Sequence, residues 1–136
     1  FCVLDIFFYP WVNVFIRWPK SLLDPDLLFL IPLPWWGPVL SPVLISILMI
    51  TGGVAVLREN ENDIPVHFPQ SIWIPLILGV LLLLYSFMAD AIQMLPASTA
   101  ALNDLRPTQF NWPVYLLGLG LAFVSVLQIM IKQKKK

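Results

Sequence analysis

The residues of this chain best placed to do chemistry are Ser86, Asp90 and Gln93, set within a long apolar run. Together with Gly79 and Leu83 they are spaced four, three, four and three, which puts all five on one stripe of a helix. A carboxylate inside a membrane helix is costly and usually faces protein or water. Asp90 is therefore the candidate for an intramembrane proton or cation site, with Ser86 and Gln93 lining a polar path. The structural counterpart is a hydrogen bond or ion pair to Arg17, Lys20, Asn103 or Arg106 on the same side of the membrane, or simple protonation. No second acid, histidine or lysine stands on either neighbouring full-length run to form a relay.

Other site chemistry is sparse. His67 is the single histidine and Cys2 the single cysteine, so the chain lacks metal-ligand spacings and cannot form an internal disulfide. Gly52-Gly53 lies within an apolar run without the following Lys-Ser/Thr of a phosphate-cradling loop. No serine has an evident His/Asp pair, and an enzyme using Asp90, Tyr85 or His67 has no supporting constellation. The expectation is a protein without catalytic residues, metal or cofactor of its own. A pigment, haem, quinone or lipid held mainly by partner chains would leave no mark in this sequence.

The elements that must carry the stripe are three apolar runs, 35–57, 72–95 and 113–131. A helix rises about 1.5 Å per residue and the hydrocarbon core is roughly 30 Å thick, so about 20 apolar residues cross it. Hydrophobic residues make up 59% and charged residues 12% of the chain, about half the charged share of a soluble domain. The predicted class is all-α: a single polytopic membrane domain with three complete transmembrane helices. Its first segment, 1–16, opens on Phe1 and reads as the far part of a further helix, or as an interfacial one. A net charge of zero gives no electrostatic case for nucleic acid, and the expected partners are membrane lipids and other membrane subunits.

Proline and tryptophan punctuate the run boundaries. Pro38, Pro42, Pro75 and Pro113 fall early in the runs, where their missing N–H groups do least harm. Trp35, Trp36, Trp73, Trp112 and Tyr115 fall at the same ends, the places of an interfacial aromatic belt. Within the Pro-rich outer segment 17–34, the stretch 24–34 is too short and too interrupted to span, so it is expected to form an interfacial flap, with a re-entrant loop as the alternative. Lys132, Lys134, Lys135, Lys136 and Arg58 outweigh Arg17, Lys20 and Arg106, which predicts a cytoplasmic basic tail over 132–136. That rule does not distinguish a bacterial inner membrane from the endoplasmic reticulum.

Every run also carries a seam for another helix. Gly118, Ala122 and Ser125 share a face on the last run, Gly79 opens the stripe on the middle one, and Ser46, Met49 and Gly53 share a face on the first. Packing seams without catalytic groups predict an accessory or structural subunit of a larger membrane complex. The alternative is a small transporter or channel component that uses Asp90.

Overall fold

The computed structural model describes residues 2–29, 33–61, 70–93 and 109–134. Their order is α1 (Cys2–Ile16), β1 (Pro25–Phe29), β2 (Trp35–Pro38), α2 (Leu40–Glu61), α3 (Gln70–Gln93) and α4 (Trp112–Lys134). Among the described residues, three stretches are long and apolar enough to cross a membrane: Leu40–Arg58, Gln70–Gln93 and Trp112–Ile131. The helix α1 is also apolar, but at 15 residues it is shorter than these.

Local chemistry sets the ends of the helices. Arg17 stops α1 by adopting φ 54°, in the left-handed region, while its N–H still donates to the Asn13 carbonyl at 2.9 Å. Asn111 starts α4: its Oδ1 accepts from the Val114 N–H at 3.3 Å and its carbonyl from the Tyr115 N–H at 3.0 Å. Pro113 is then the second residue of α4, where its missing N–H would have had no intrahelical acceptor.

The chain is mostly helical, but the all-α expectation needs correcting, because β1 and β2 pair as an antiparallel two-stranded sheet. Pro25 faces Pro38, Asp26 faces Gly37, Leu27 faces Trp36 and Phe29 faces Trp35, with a register shift between Leu27 and Phe29. The two prolines sit opposite each other at one end of the ladder, where neither interrupts its interior. Strand pairing satisfies backbone groups that the prolines would have left open in a helix. As a result α2 begins at Leu40 rather than at residue 35, and Pro38 belongs to a strand. The segment expected as a flap is held as well. Asp24 Oδ2 accepts from the N–H groups of Lys20 and Ser21 at 2.7 and 3.0 Å, and the Val39 N–H donates to the Asp24 carbonyl at 3.0 Å.

The helices run alternately up and down. Gly79 of α3 meets Gly118 of α4, and Phe87 meets Tyr115, which makes that pair antiparallel. Ser41 meets Tyr115 while Gly52 meets Val126, so α2 runs alongside α4 in the same direction. At the other flank Asp5 meets Ser46 and Cys2 meets Met49, so α1 runs antiparallel to α2. The hairpin sits over the end where α2 and α4 begin and α3 finishes. Beneath it lies the core of Leu83, Phe87 and Tyr115, ringed by Leu28, Trp35, Leu44, Phe110 and Trp112 among others.

Candidate functional site

The polar stripe of α3 runs from the helix interface into a cavity under the hairpin. Gly79, Leu83 and Ser86 are buried, Asp90 is half-buried and Gln93 is exposed. The cavity holds about 280 Å³, and Leu23 and, at the start of β1, Pro25 form part of its wall. Strand β2 contributes Trp36, Gly37 and Pro38; the last turns of α3 contribute Ser86, Phe87, Asp90 and Gln93; the approach to α4 contributes Gln109, Phe110, Asn111 and Trp112. Gly37 allows the hairpin to sit this close. A Cβ there would stand 2.8 Å from Phe87 Cε1 and 2.9 Å from Ser41 Oγ.

Within this cavity the polar groups differ in how far they are already engaged. The Ser86 hydroxyl donates to the Leu83 carbonyl at 2.7 Å, one turn back on its own helix, so its proton is spent locally. Asn111 Oδ1 is engaged in capping α4. Asp90 makes no hydrogen bond or ion pair among the described residues. Arg17 and Lys20 do not reach it, while Asn103 and Arg106 lie outside the described residues. The Trp36 indole N–H is also buried without a partner among the described residues. The cavity thus offers an uncommitted carboxylate among aromatic walls.

Farther along α3 the stripe closes into backbone contact. A Cβ on Gly79 would stand 2.8 Å from the Gly118 carbonyl oxygen and 2.9 Å from the Ala122 N. A Cβ on Gly118 would stand 2.9 Å from the Gly79 carbonyl oxygen. Ala122 and Ser125 are buried on the same seam, and the Ser125 hydroxyl donates to the Leu121 carbonyl at 3.1 Å. Along α3 the stripe's open space ends near Ser86, because Gly118 closes on the Leu83 backbone one turn along.

The aromatic residues divide between core and surface. Tyr115 is fully buried and its hydroxyl donates to the Ser41 carbonyl at 2.8 Å, a core position rather than a headgroup one. Trp35 lies parallel to Phe87, with centroids 6.4 Å apart and planes 3° from each other. Trp112 packs edge-on against Tyr115 at 5.7 Å. Trp36 lines the cavity, and Trp73 is exposed at the start of α3.

Sequence reasoning missed a second polar cluster, between α1 and the hairpin. Here the Tyr9 hydroxyl donates to Asp26 Oδ2 at 3.0 Å, and the Ser46 hydroxyl reaches Asp5 Oδ2 at 3.4 Å. A space of about 400 Å³ adjoins Asp5, Tyr9, Trp18, Asp26 and Phe29. Asp26 is well supplied with donors, since its Oδ1 also accepts from the Leu27 N–H at 2.8 Å. The signal was present in Asp5 and Tyr9, four apart on one face of an apolar helix, but not their partners.

A third hollow of about 360 Å³ is almost wholly apolar and lies between α2 and α4, lined by Leu44, Ile47, Leu48, Thr51, Leu116, Leu119, Gly120 and Phe123. Among the described residues no group of three His, Cys, Asp or Glu side chains could hold a metal ion, and His67 lies outside them. Comparison with protein-family models, curated proteins and solved structures found no match to this chain.

Proposed function

We propose that this chain is an accessory, structural subunit of a larger integral membrane complex, contributing helix packing and lipid-facing surface. The observation that carries this reading is the bareness of α2. Only 11% of its most apolar window is buried inside the chain, against 33% for α3. Lipid alone could cover such a face, but lipid gives no reason for glycine. Gly53 on α2 and Gly120 on α4 have nothing within 4 Å of where a Cβ would stand. Glycine weakens a helix interior by about 1 kcal/mol relative to alanine, so open glycine notches suit a neighbouring helix that approaches closely. Outside the spans, Leu22, Leu23 and Phe29 are exposed around the hairpin and are suited to the same cover. The lysine-rich end then faces the cytoplasm, and any pigment, haem or quinone would be held mainly by the partner chains.

Extraction in a mild detergent, native sizing and identification of co-migrating membrane proteins test this reading. A stable assembly of fixed stoichiometry is expected. Gly120→Leu and Gly53→Leu should release the partners while leaving the chain folded. A lone small species after the mildest extraction would sink the proposal.

A further inference from the structure

We propose that the cavity under the hairpin binds a small organic ammonium group, with Asp90 as its counter-charge. The inference stands apart from the subunit reading, because it concerns only walls that this chain supplies. Asp90 is half-buried at the end of α3 and makes no ion pair or hydrogen bond among the described residues. A half-buried carboxylate without a partner of its own favours a cation placed beside it.

The walls decide which kind of cation. A divalent ion wants about six or more oxygen ligands, and one carboxylate with a few amides cannot replace its hydration shell. No cluster of three acidic, His or Cys residues stands among the described residues to help. The cavity is instead lined by Trp36, Phe87, Phe110 and Trp112, and aromatic rings attract a weakly hydrated ammonium. Helix dipoles do not discriminate here, since α3 ends and α4 begins at the same cavity and their fields oppose each other. At about 280 Å³ the space lies just below the roughly 300–1,000 Å³ of sites for drug-sized ligands, so it suits a headgroup-sized amine.

That ammonium could come from a phospholipid headgroup or from a free amine, and the experiment separates the two. Purified protein is titrated calorimetrically with choline and ethanolamine, and with 3,3-dimethylbutanol as the uncharged isostere of choline. Native mass spectrometry then compares protein taken from vesicles containing ethanolamine-headgroup or glycerol-headgroup lipid. The expected result is saturable binding of the ammonium probe, at least ten-fold weaker for the neutral isostere and at least ten-fold weaker in Asp90→Asn. Retention of ethanolamine lipid on wild type but not on Asp90→Asn, without binding of free amines, would support the site with a lipid as its source. Binding of free amines without selective lipid retention would support it with a soluble source. The near-isosteric change removes no hydrogen bond seen among the described residues, so the variant should unfold in SDS at the wild-type midpoint. If it does not fold, the comparison of choline with its isostere on wild type still decides. Failure of every probe to bind, or equal binding of charged and uncharged probes, would overturn the proposal.

Discussion

The pair α3 and α4 and the pair α1 and α2 solve the same problem by different means. Between α3 and α4 the contact is steric: Gly79 and Gly118 let two backbones touch, and Phe87 and Tyr115 fill the space at the hairpin end. Between α1 and α2 the contact is polar and thinner, with Ser46 reaching Asp5 at 3.4 Å and Cys2 reaching Met49 Sδ at 3.8 Å. Lipid tails are as apolar as leucine, so burying apolar surface does little to drive helices together in a bilayer. Close dispersion contact along a small-residue seam is then more dependable than one long hydrogen bond. The comparison makes α3–α4 the rigid frame and α1 the lightly attached element.

The largest test of that ranking is Gly118→Leu. Its Cβ would collide with the Gly79 carbonyl oxygen at 2.9 Å and the Leu83 N at 3.0 Å, both of them backbone atoms that cannot rotate away. Overpacking of a core costs about 1–3 kcal/mol when side chains can adjust, and a backbone clash should lie at or above the top of that range. SDS titration of the purified protein in mixed micelles, read by circular dichroism, should show a large fall in midpoint. Gly120→Leu, two residues away with open space around it, should leave the midpoint nearly unchanged. Equal effects from the two substitutions would mean that α3 and α4 do not meet along this seam.

The frame was legible in the sequence only one helix at a time. Gly79, Gly118, Ala122 and Ser125 can each be read from spacing as seam residues, yet nothing local says that Gly79 meets Gly118 across the interface. The same limit explains the hairpin. Trp35-Trp36-Gly37-Pro38 is apolar enough to be summed into a spanning run, and a short apolar stretch does not distinguish strand from helix. What makes it a strand is its pairing with Pro25–Phe29 and the fit of Gly37 over Phe87, both tertiary facts. Tyr115 looked like a belt residue because it sits near a helix start, but the hairpin covers that start and makes it core. The cavity lay hidden for the same reason: Asp90 and Gln93 could be placed on a stripe, whereas Trp36 and Gln109 join them only through the fold.

Next in size is Tyr115→Phe, which keeps the ring packed among Phe87, Phe110 and Trp112 and removes only the hydroxyl. That hydroxyl donates to the Ser41 carbonyl at 2.8 Å and ties α4 to the start of α2. A hydrogen bond of this kind contributes about 1 kcal/mol net, and the loss should appear as a modest fall in the SDS midpoint. Amide exchange over residues 40–45 should quicken in the variant and stay unchanged along the Gly79–Gly118 seam. An unchanged midpoint would place the weight of the α2–α4 contact on apolar packing alone.

The smallest expected effect is at Ser46→Ala, which removes the polar contact between α1 and α2. Hydrogen bonds between membrane helices average about 0.6 kcal/mol, and the Ser46–Asp5 contact is long at 3.4 Å, so its share should not exceed that. Alanine also forms helix better than serine, by up to about half a kilocalorie, which offsets part of the loss. The unfolding midpoint should therefore move little in either direction. The informative readout is local: a spin-label or fluorophore pair spanning α1 and α2 should report wider separation or broader distances in Ser46→Ala. A pair on α3 and α4 should not. If Ser46→Ala instead lowers global stability as much as Gly118→Leu does, α1 belongs to the frame and the ranking of the two helix pairs is wrong. A neutral midpoint with a loosened α1 would make the Ser46–Asp5 contact the tether of α1 and leave α3–α4 as the part that holds its shape.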